Sequence, residues 1–172
     1  MRMATAQPES SGECFAHYGG RRDGLDLALH YGHADSSTPF AHCAPLQISV
    51  EGVGVIQVEH QVGRRPAHPF DAPRVALEEG GVRLSHLCCH REHPERVRTI
   101  LKLALQASLQ RRGHGQVEGQ RLAQRGLEAL AAANITLLQN LIAAVEAADH
   151  PGAAVLARAA RRQATIIEVV MS

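Results

Sequence analysis

The amino-acid sequence predicts an α+β protein, with a small antiparallel β-sheet in its N-terminal half followed by a C-terminal helical hairpin or three-helix bundle. Apolar and polar residues alternate between residues 46 and 85, as half-buried strands require. From Pro94 onward apolar residues recur every three or four positions, which is typical of amphipathic helices. With 172 residues, the chain is long enough for a domain with its own core.

The β-rich part is predicted to be two hairpins. Residues 46 to 60 form a strand pair that turns at Glu51-Gly52, with a bulge at Gly54 because Ile56 shifts the alternation. Residues 63 to 73 contain three prolines and are predicted to be a loop. Residues 75 to 84 form the second hairpin, which turns at residues 79 to 81.

The segments before residue 46 carry weaker signals. Residues 1–20 are rich in Ser, Gly, Glu and Pro and are predicted to be a disordered N-terminal arm, which leaves 21–172 as a single α+β domain. Leu25, Leu27 and Leu29 alternate briefly and precede a polar run from residue 32 to 39. The domain is therefore predicted to be β-rich over 46–85 and helical over 94–170.

Three helices are predicted, at about 94–112, 117–148 and 153–170. Pro94 and Glu95 suit a helix start, and Gly113 suits a stop. In the second helix, Gly119 and Gly126 weaken the first turns. The uncharged stretch from 129 to 145 is short for a membrane span and holds polar residues, so it is predicted to be a buried helix.

The second helix also carries an apolar seam in alternating steps of four and three residues, which runs through Leu127, Ala131, Asn134, Leu138, Leu141 and Val145. A buried Asn in such a seam often sets the register or the number of associating helices. The seam therefore favours a homo-oligomer or a protein partner. An intrachain bundle with Asn134 at its edge, or a break between two helices, is the alternative.

Composition restricts the partners and the compartment. The net charge of +1 argues against nucleic acid and against an anionic membrane surface, and aromatic residues at 3% leave few rings for base stacking. Arginines 121, 125, 158, 161 and 162 could contact phosphates, but a solvated helix face is the preferred interpretation. All 18 basic residues except Lys102 are arginine, which indicates GC-rich coding and a bacterial source. No secretory leader is apparent, so a cytoplasmic protein with reduced thiols is predicted.

The candidate functional site is a dense group of side chains able to bind metal or react as thiols, within eight residues: His86, Cys88, Cys89, His90 and His93. Thiolates and neutral imidazoles are the preferred ligands of zinc, which requires four of them in a tetrahedral site. Because Pro94 disfavours helical geometry at the preceding residue, this segment is predicted to be a β-to-α connector that supplies two or three ligands. The others would come from His30 and His33, or from His42 and Cys43.

Other interpretations of this group remain open. Cys88 and Cys89 could carry redox chemistry or bind a thiophilic ion. A solvated loop rich in histidine is preferred to a metal site. The alternative to thiol chemistry is that Leu87 and one cysteine face the core while the other cysteine is exposed. The spacing His30-x-x-His33-x-Asp35 could hold a catalytic metal, although a polar surface loop is preferred.

Motifs for a nucleophilic serine, a phosphate-binding loop or a dinucleotide site are absent from the sequence. The leading hypothesis is therefore a non-enzymatic binding or regulatory protein whose helical half forms the interface, with a metal-responsive His/Cys loop. An enzyme with a metal or thiol centre at residues 86 to 93 is the alternative, and zinc is the cofactor considered in both.

Overall fold

A computed structural model of the chain describes residues 21–33, 37–59, 67–148 and 150–172, so the predicted arm at 1–20 lies outside the described residues. The helices and strands, in chain order, are α1 (Gly24–Tyr31), β1 (Phe40–His42), β2 (Leu46–Val50), β3 (Gly54–Val58), β4 (Val75–Glu78), β5 (Gly81–Leu84), β6 (Cys88–His90), α2 (Pro94–Arg111), α3 (Gln116–Ala147) and α4 (Ala153–Met171). The α+β layout is confirmed, with strands in the N-terminal half and three long helices in the C-terminal half.

The larger sheet has four strands in the order β2-β3-β5-β4. Both predicted hairpins are present, since β2 pairs with β3 and β4 pairs with β5 in antiparallel fashion. The predicted small antiparallel sheet also contains one parallel pair, because β3 and β5 join the two hairpins side by side at the centre. That pairing is non-local, and alternation within each strand carries no information about it.

The prediction of a β-bulge at Gly54 is wrong. The β2–β3 register is unbroken from Leu46 opposite Val58 to Val50 opposite Gly54. Gly54 instead has a positive φ of 96°, and a Cβ atom there would lie 2.1 Å from the Gly80 carbonyl oxygen. The glycine is therefore required where the two hairpin turns approach each other.

A second, two-stranded sheet was not predicted. Its strands β1 and β6 pair antiparallel, with Phe40 opposite His90 and His42 opposite Cys88. The segment predicted to be a connector is therefore a short strand through His90, followed by a turn that leads into α2. Three-residue strands are too short to produce an alternation pattern, so no local signal predicts them.

The short apolar alternation at residues 25 to 29 lies within the helix α1. Asp23 caps its N-terminus by accepting a hydrogen bond from the Asp26 backbone N–H at 2.8 Å, and Gly32 ends it in the left-handed conformation. Leu27 and Ala28 are buried, and α1 packs against α4. The cap and the packing against α4 fix this segment as a helix.

The three C-terminal helices agree with the predicted bounds to within one residue. They form a three-helix bundle in which α3 packs against both α2 and α4, and α2 also contacts α4. Their apolar faces form one core with the inner face of the four-stranded sheet, including Ile56, Leu84, Leu105, Leu130 and Ile167. Gly126 lies where α3 approaches this sheet closely, since a Cβ atom there would be 3.1 Å from Val53 and 3.2 Å from Ile56.

The uncharged stretch of α3 is not a buried helix, contrary to the prediction. Between residues 129 and 145 only Leu130, Ala131, Asn134 and Leu138 are buried. By length and composition α3 could also cross a membrane, and 22% of its most apolar window is buried within the fold. This exposure arises because α3 is much longer than the helices beside it. The sequence of α3 alone does not show how much of its length those helices cover.

Candidate functional site

The β1–β6 ribbon has two chemically different faces. Residues directly opposite in an antiparallel pair point to the same side, and the sides alternate along each strand. One face carries Ala41, Cys43, Leu87 and Cys89, all of which are buried in the core. The other face, here called the imidazole face, carries Phe40, His42, Cys88 and His90.

The thiols on the core face are structural. The Sγ atoms of Cys43 and Cys89 lie 3.9 Å apart, and Cys89 is 0% exposed. The contact with Cys43 and the burial together raise the pKa of Cys89 well above its ordinary value. Buried thiols of this kind behave as small hydrophobic groups. Leu87 and Cys89 thus face the core, as one of the open interpretations stated.

Cys88 lies on the imidazole face but is not activated as a nucleophile. Burial raises its pKa, and the nearby Cys43 and Asp23 raise it further, so the group stays a neutral thiol at neutral pH. His42, which is opposite Cys88, directs Nδ1 to the Asp23 carboxylate at 3.3 Å and Nε2 to the Ala67 carbonyl oxygen at 3.3 Å. With both ring nitrogens engaged elsewhere, His42 does not act as a base for this thiol.

Three potential metal ligands converge at the end of the imidazole face. One ligand atom each from His90, Glu92 and His93 lies within 4.8 Å of the others. A tight turn produces this convergence, since the His93 backbone N–H donates to the His90 carbonyl oxygen at 3.1 Å. Among the residues that the structure describes, this is the one group of three such side chains that meets this spacing.

His90 is the anchored member of this triad. It is 6% exposed, and its ring centroid lies 4.9 Å from that of Phe70 and 6.2 Å from that of Phe40. Burial lowers its pKa, and the neighbouring His93 lowers it further, so the ring is neutral at neutral pH and able to bind a metal. Glu92 and His93 are exposed, which leaves the triad open to solvent.

The hydrogen bonds of His90 also fix its tautomer. The Glu92 backbone N–H donates to His90 Nδ1 at 3.2 Å, so in the neutral ring the proton lies on Nε2. Coordination through Nε2 would move that proton to Nδ1 and break the bond from Glu92. A metal ion bound there would therefore also change the turn between His90 and His93.

The other histidines predicted as ligands make different contacts. His86 Nδ1 lies 3.0 Å from the Ser85 hydroxyl, and its Nε2 lies 3.3 Å from the Asp71 carbonyl oxygen. His30 is exposed in the last turn of α1 and contacts Asp26 at 2.9 Å. His33 is exposed just beyond that helix. Asp35 lies outside the described residues.

Sequence reasoning missed two members of this region, Glu92 and Asp23, and it considered His42 as a metal ligand and not as the partner of Asp23. Glu92 was not considered because only His and Cys were counted, although His90-x-Glu92-His93 before Pro94 places a third donor in the same turn. Asp23 and His42 are 19 residues apart and meet only through the packing of α1 on the ribbon. No local sequence signal could have paired them.

Three of the five arginines considered as phosphate contacts are engaged within the chain. Arg125 pairs with Glu51, and Arg161 pairs with Glu146. Arg162 donates to the Thr38 carbonyl oxygen at 3.3 Å. These contacts tie the helices to one another and to the strands, which agrees with a structural role for these side chains.

Comparison with known proteins gave no match: no protein-family model, curated protein or solved structure matches this chain. Function must therefore be argued from the geometry of the site itself.

Proposed function

We propose that the protein is a non-enzymatic, metal-responsive binding protein that takes up a zinc-like divalent cation at His90, Glu92 and His93. The observation that carries this proposal is the convergence of their three ligand atoms within 4.8 Å. Two imidazoles and one carboxylate form a donor set that suits zinc and neighbouring transition metals. Three protein ligands leave a fourth position for water or a small ligand.

The triad is close to a binding geometry without having reached it. In a tetrahedral zinc site with bonds of about 2.0–2.2 Å, ligand atoms lie roughly 3.4 Å apart. Glu92 and His93 are exposed, so rotation of their side chains can supply the approach of at most about 1.4 Å that separates the 4.8 Å spacing from this value. The ring of His90 is held by Phe40 and Phe70, and coordination through its Nε2 atom requires the change of tautomer and the loss of the hydrogen bond from the Glu92 N–H.

The position of the triad in the fold favours modest affinity and therefore reversible binding. The triad lies at the N-terminus of α2, whose positive dipole end repels a cation by about 0.3–1 kcal/mol. Glu92 compensates part of this repulsion with its carboxylate. Loss of the Glu92 N–H bond to His90 costs little, because Glu92 is exposed and water can replace His90 as the acceptor. Reversible binding of this kind suits a sensor.

The experiment is a calorimetric zinc titration of the full chain prepared without a histidine tag. We expect one zinc ion per chain, and at least tenfold weaker binding in His93→Ala and in Glu92→Gln. His86→Ala is the matched control, since it removes a histidine of the same segment that lies outside the triad. Binding of less than about a tenth of a zinc ion per chain would reject the proposal. So would equal losses in His86→Ala and His93→Ala.

A metal enzyme using the same three ligands is the second candidate, because the open fourth position could activate a water molecule. A zinc-loaded sample can be assayed against activated esters and phosphate esters. Turnover that disappears in His93→Ala would favour the enzyme over the sensor. The thiol version is less well supported, because Cys89 is inaccessible and the thiol of Cys88 is neutral.

The proposed compartment remains the bacterial cytoplasm. Cys43, Cys88 and Cys89 are free thiols, and a reducing compartment preserves such thiols. The arginine-rich composition supports the bacterial source.

A further inference from the structure

Phe70 is a residue outside the triad that contacts both of its imidazoles. Its ring centroid lies 4.9 Å from that of His90, with 31° between the ring planes, and 5.4 Å from that of His93, in an edge-on contact at 70°. The two imidazole centroids lie 5.2 Å apart, so the three rings form one cluster. Contacts of this kind restrict the rotation of both ligand side chains at once.

The position of Phe70 is not explained by the hydrophobic core. Its side chain is 39% exposed, and Phe70 is not one of the residues that form the core. Aromatic side chains are scarce in this chain, with three phenylalanines, two tyrosines and no tryptophan. Two of the three phenylalanines, Phe40 and Phe70, pack on His90. Phe70 thus contributes its ring to the metal site and little to the core.

A compact turn holds Phe70 in place. This segment, here called the Phe70 turn, comprises residues 67–71. The His68 backbone N–H donates to the Asp71 carboxylate at 2.8 Å, and the Asp71 N–H donates to the His68 carbonyl oxygen at 2.8 Å. His86 also contacts the turn, since its Nε2 lies 3.3 Å from the Asp71 carbonyl oxygen. The turn is therefore held by contacts that do not involve the triad.

Arg96 ties the Phe70 turn to helix α2. Its guanidinium donates to the Phe70 carbonyl oxygen, and the guanidinium carbon lies 5.6 Å from the centroid of the Phe70 ring. Arg96 lies in the first turn of α2, which begins directly after His93. The Phe70 ring is therefore held against the start of α2, where the three ligands converge.

A fixed ring beside two ligands matters because the triad must close on the metal. An exposed side chain such as His93 loses rotamer freedom when it binds a metal, and this loss opposes binding. A neighbouring ring that already restricts His90 and His93 reduces that loss, as preorganisation does in general. Removal of the ring should therefore weaken metal binding while all three donor groups remain in the chain.

We propose that Phe70 is a positioning residue of the metal site, and that zinc bound to the triad in turn stabilises the Phe70 turn. The inference rests on the proposed function and adds the segment that responds to binding. Coupling between two equilibria is reciprocal: if the ordered turn strengthens zinc binding by a given factor, zinc favours the ordered turn by the same factor. The Phe70 turn is thus the part of the protein whose mobility reports the metal.

The first measurement is zinc calorimetry of the full chain. Phe70→Leu keeps an apolar side chain but removes the ring, and we expect zinc binding to weaken by about three- to tenfold, as for the loss of one or two aromatic contacts. Phe70→Tyr retains the ring and can place its hydroxyl in water, so it should bind zinc as the wild type does. Tyr31→Leu is the matched control, because Tyr31 is 46% exposed and also has an arginine over its ring, Arg22 at 5.5 Å.

Two further measurements separate positioning from a general effect on folding. In the cobalt-substituted protein, the visible absorption bands of the metal should differ between wild type and Phe70→Leu and should be restored in Phe70→Tyr. Zinc should slow hydrogen exchange at the backbone N–H groups of Phe70 and Asp71 in the wild type and leave it unchanged in His93→Ala.

Equal zinc affinity in wild type and Phe70→Leu would overturn the inference while the proposed function stands. So would a loss in Phe70→Tyr as large as that in Phe70→Leu, because the ring would then not determine the affinity. If circular dichroism shows Phe70→Leu to be unfolded, the exchange measurement on the wild type decides, and unchanged exchange at Phe70 and Asp71 overturns the inference. A wild-type protein that binds no zinc would reject the proposed function itself, and this inference with it.

Discussion

At the scale of single residues, the buried carboxylate of Asp23 is held by hydrogen bonds from three groups. Its carboxylate accepts bonds from the backbone N–H groups of Asp26 and His42, each at 2.8 Å, and from the His42 ring. Burial by itself would raise the pKa of Asp23, but the hydrogen bond and charge of His42 outweigh it and hold the pKa below 3.8. Asp23 thereby joins the start of α1 to β1.

Asp23→Ala removes both the helix cap and the acceptor for the His42 N–H. We expect it to lower the free energy of unfolding by about 2–3 kcal/mol near neutral pH, from the sum of a lost cap and an unpaired buried donor. Because the folded-state pKa is depressed, the charge contributes fully above the ordinary value and is lost as the pH falls through the lowered one. Urea unfolding at pH 7 and pH 3 should therefore show a smaller difference between wild type and Asp23→Ala at pH 3. A difference that did not change with pH would contradict the assignment.

Residues 86 to 93 show how far side-chain type alone can predict a site. The sequence located the segment that holds His90 and His93, because His and Cys are concentrated there. It could not separate the cysteines by face, since the pairing of β6 with β1 places Cys89 in the core and Cys88 beside His42. Which donors converge depends on this register and on the turn that follows it.

At the scale of elements, the two glycines of α3 have different roles although both lower helix propensity. A Cβ atom at Gly119 would meet nothing within 4 Å, whereas one at Gly126 would lie 2.9 Å from a methyl group of Leu105. The sequence predicted only the shared effect on propensity. The second effect depends on how closely α3 approaches α2 and the sheet.

Substitution of each glycine by alanine should therefore shift stability in opposite directions. Gly119→Ala should raise the free energy of unfolding by about 0.5–1 kcal/mol, because alanine gains helix propensity without a clash. Gly126→Ala should lower it by about 1 kcal/mol, because crowding of Leu105, Val53 and Ile56 exceeds the same gain. Urea unfolding of the pair measures both values. Equal stabilisation by the two substitutions would show that the α3–sheet contact is looser than described.

The elements themselves were predicted unequally. The long helices α2, α3 and α4 were found because each repeats its apolar period over several turns. Helix α1 has eight residues, too few to separate a helical period from a brief alternation, and its helical form depends on the Asp23 cap and on α4. The β1–β6 pair likewise depends on a long-range contact.

At the scale of the whole molecule, Asn134 joins the helical half to the strands. It is 1% exposed, and its side-chain oxygen accepts a hydrogen bond from the Ala44 backbone N–H at 2.8 Å. Its side-chain nitrogen donates to the Leu130 carbonyl oxygen at 3.0 Å. The seam around it packs within the same chain through Leu127, Ala131 and Leu138, as in the intrachain alternative, but Asn134 is buried and not at the edge of the bundle. Self-association through this helix remains a proposal.

Asn134→Leu should therefore act on folding and not on assembly. Leucine fills a similar volume but leaves the Ala44 N–H without its acceptor, and we expect a loss of about 1–2 kcal/mol in the free energy of unfolding. The oligomeric state measured by sedimentation should match that of the wild type. A changed oligomeric state with unchanged stability would return Asn134 to an intermolecular role.

The sequence by itself determined the class of the fold, both β-hairpins, the three long helices and the segment that holds the candidate ligands. Each of these rests on local periodicity or local composition, which the chain carries without reference to distant residues. Only the tertiary structure decided that β3 and β5 run parallel, that Asp23 meets His42, and that Glu92 joins His90 and His93. It also decided that the end of α3 is left uncovered. The physical reason is that register, close approach and exposure depend on which elements pack together, and no single segment encodes that choice.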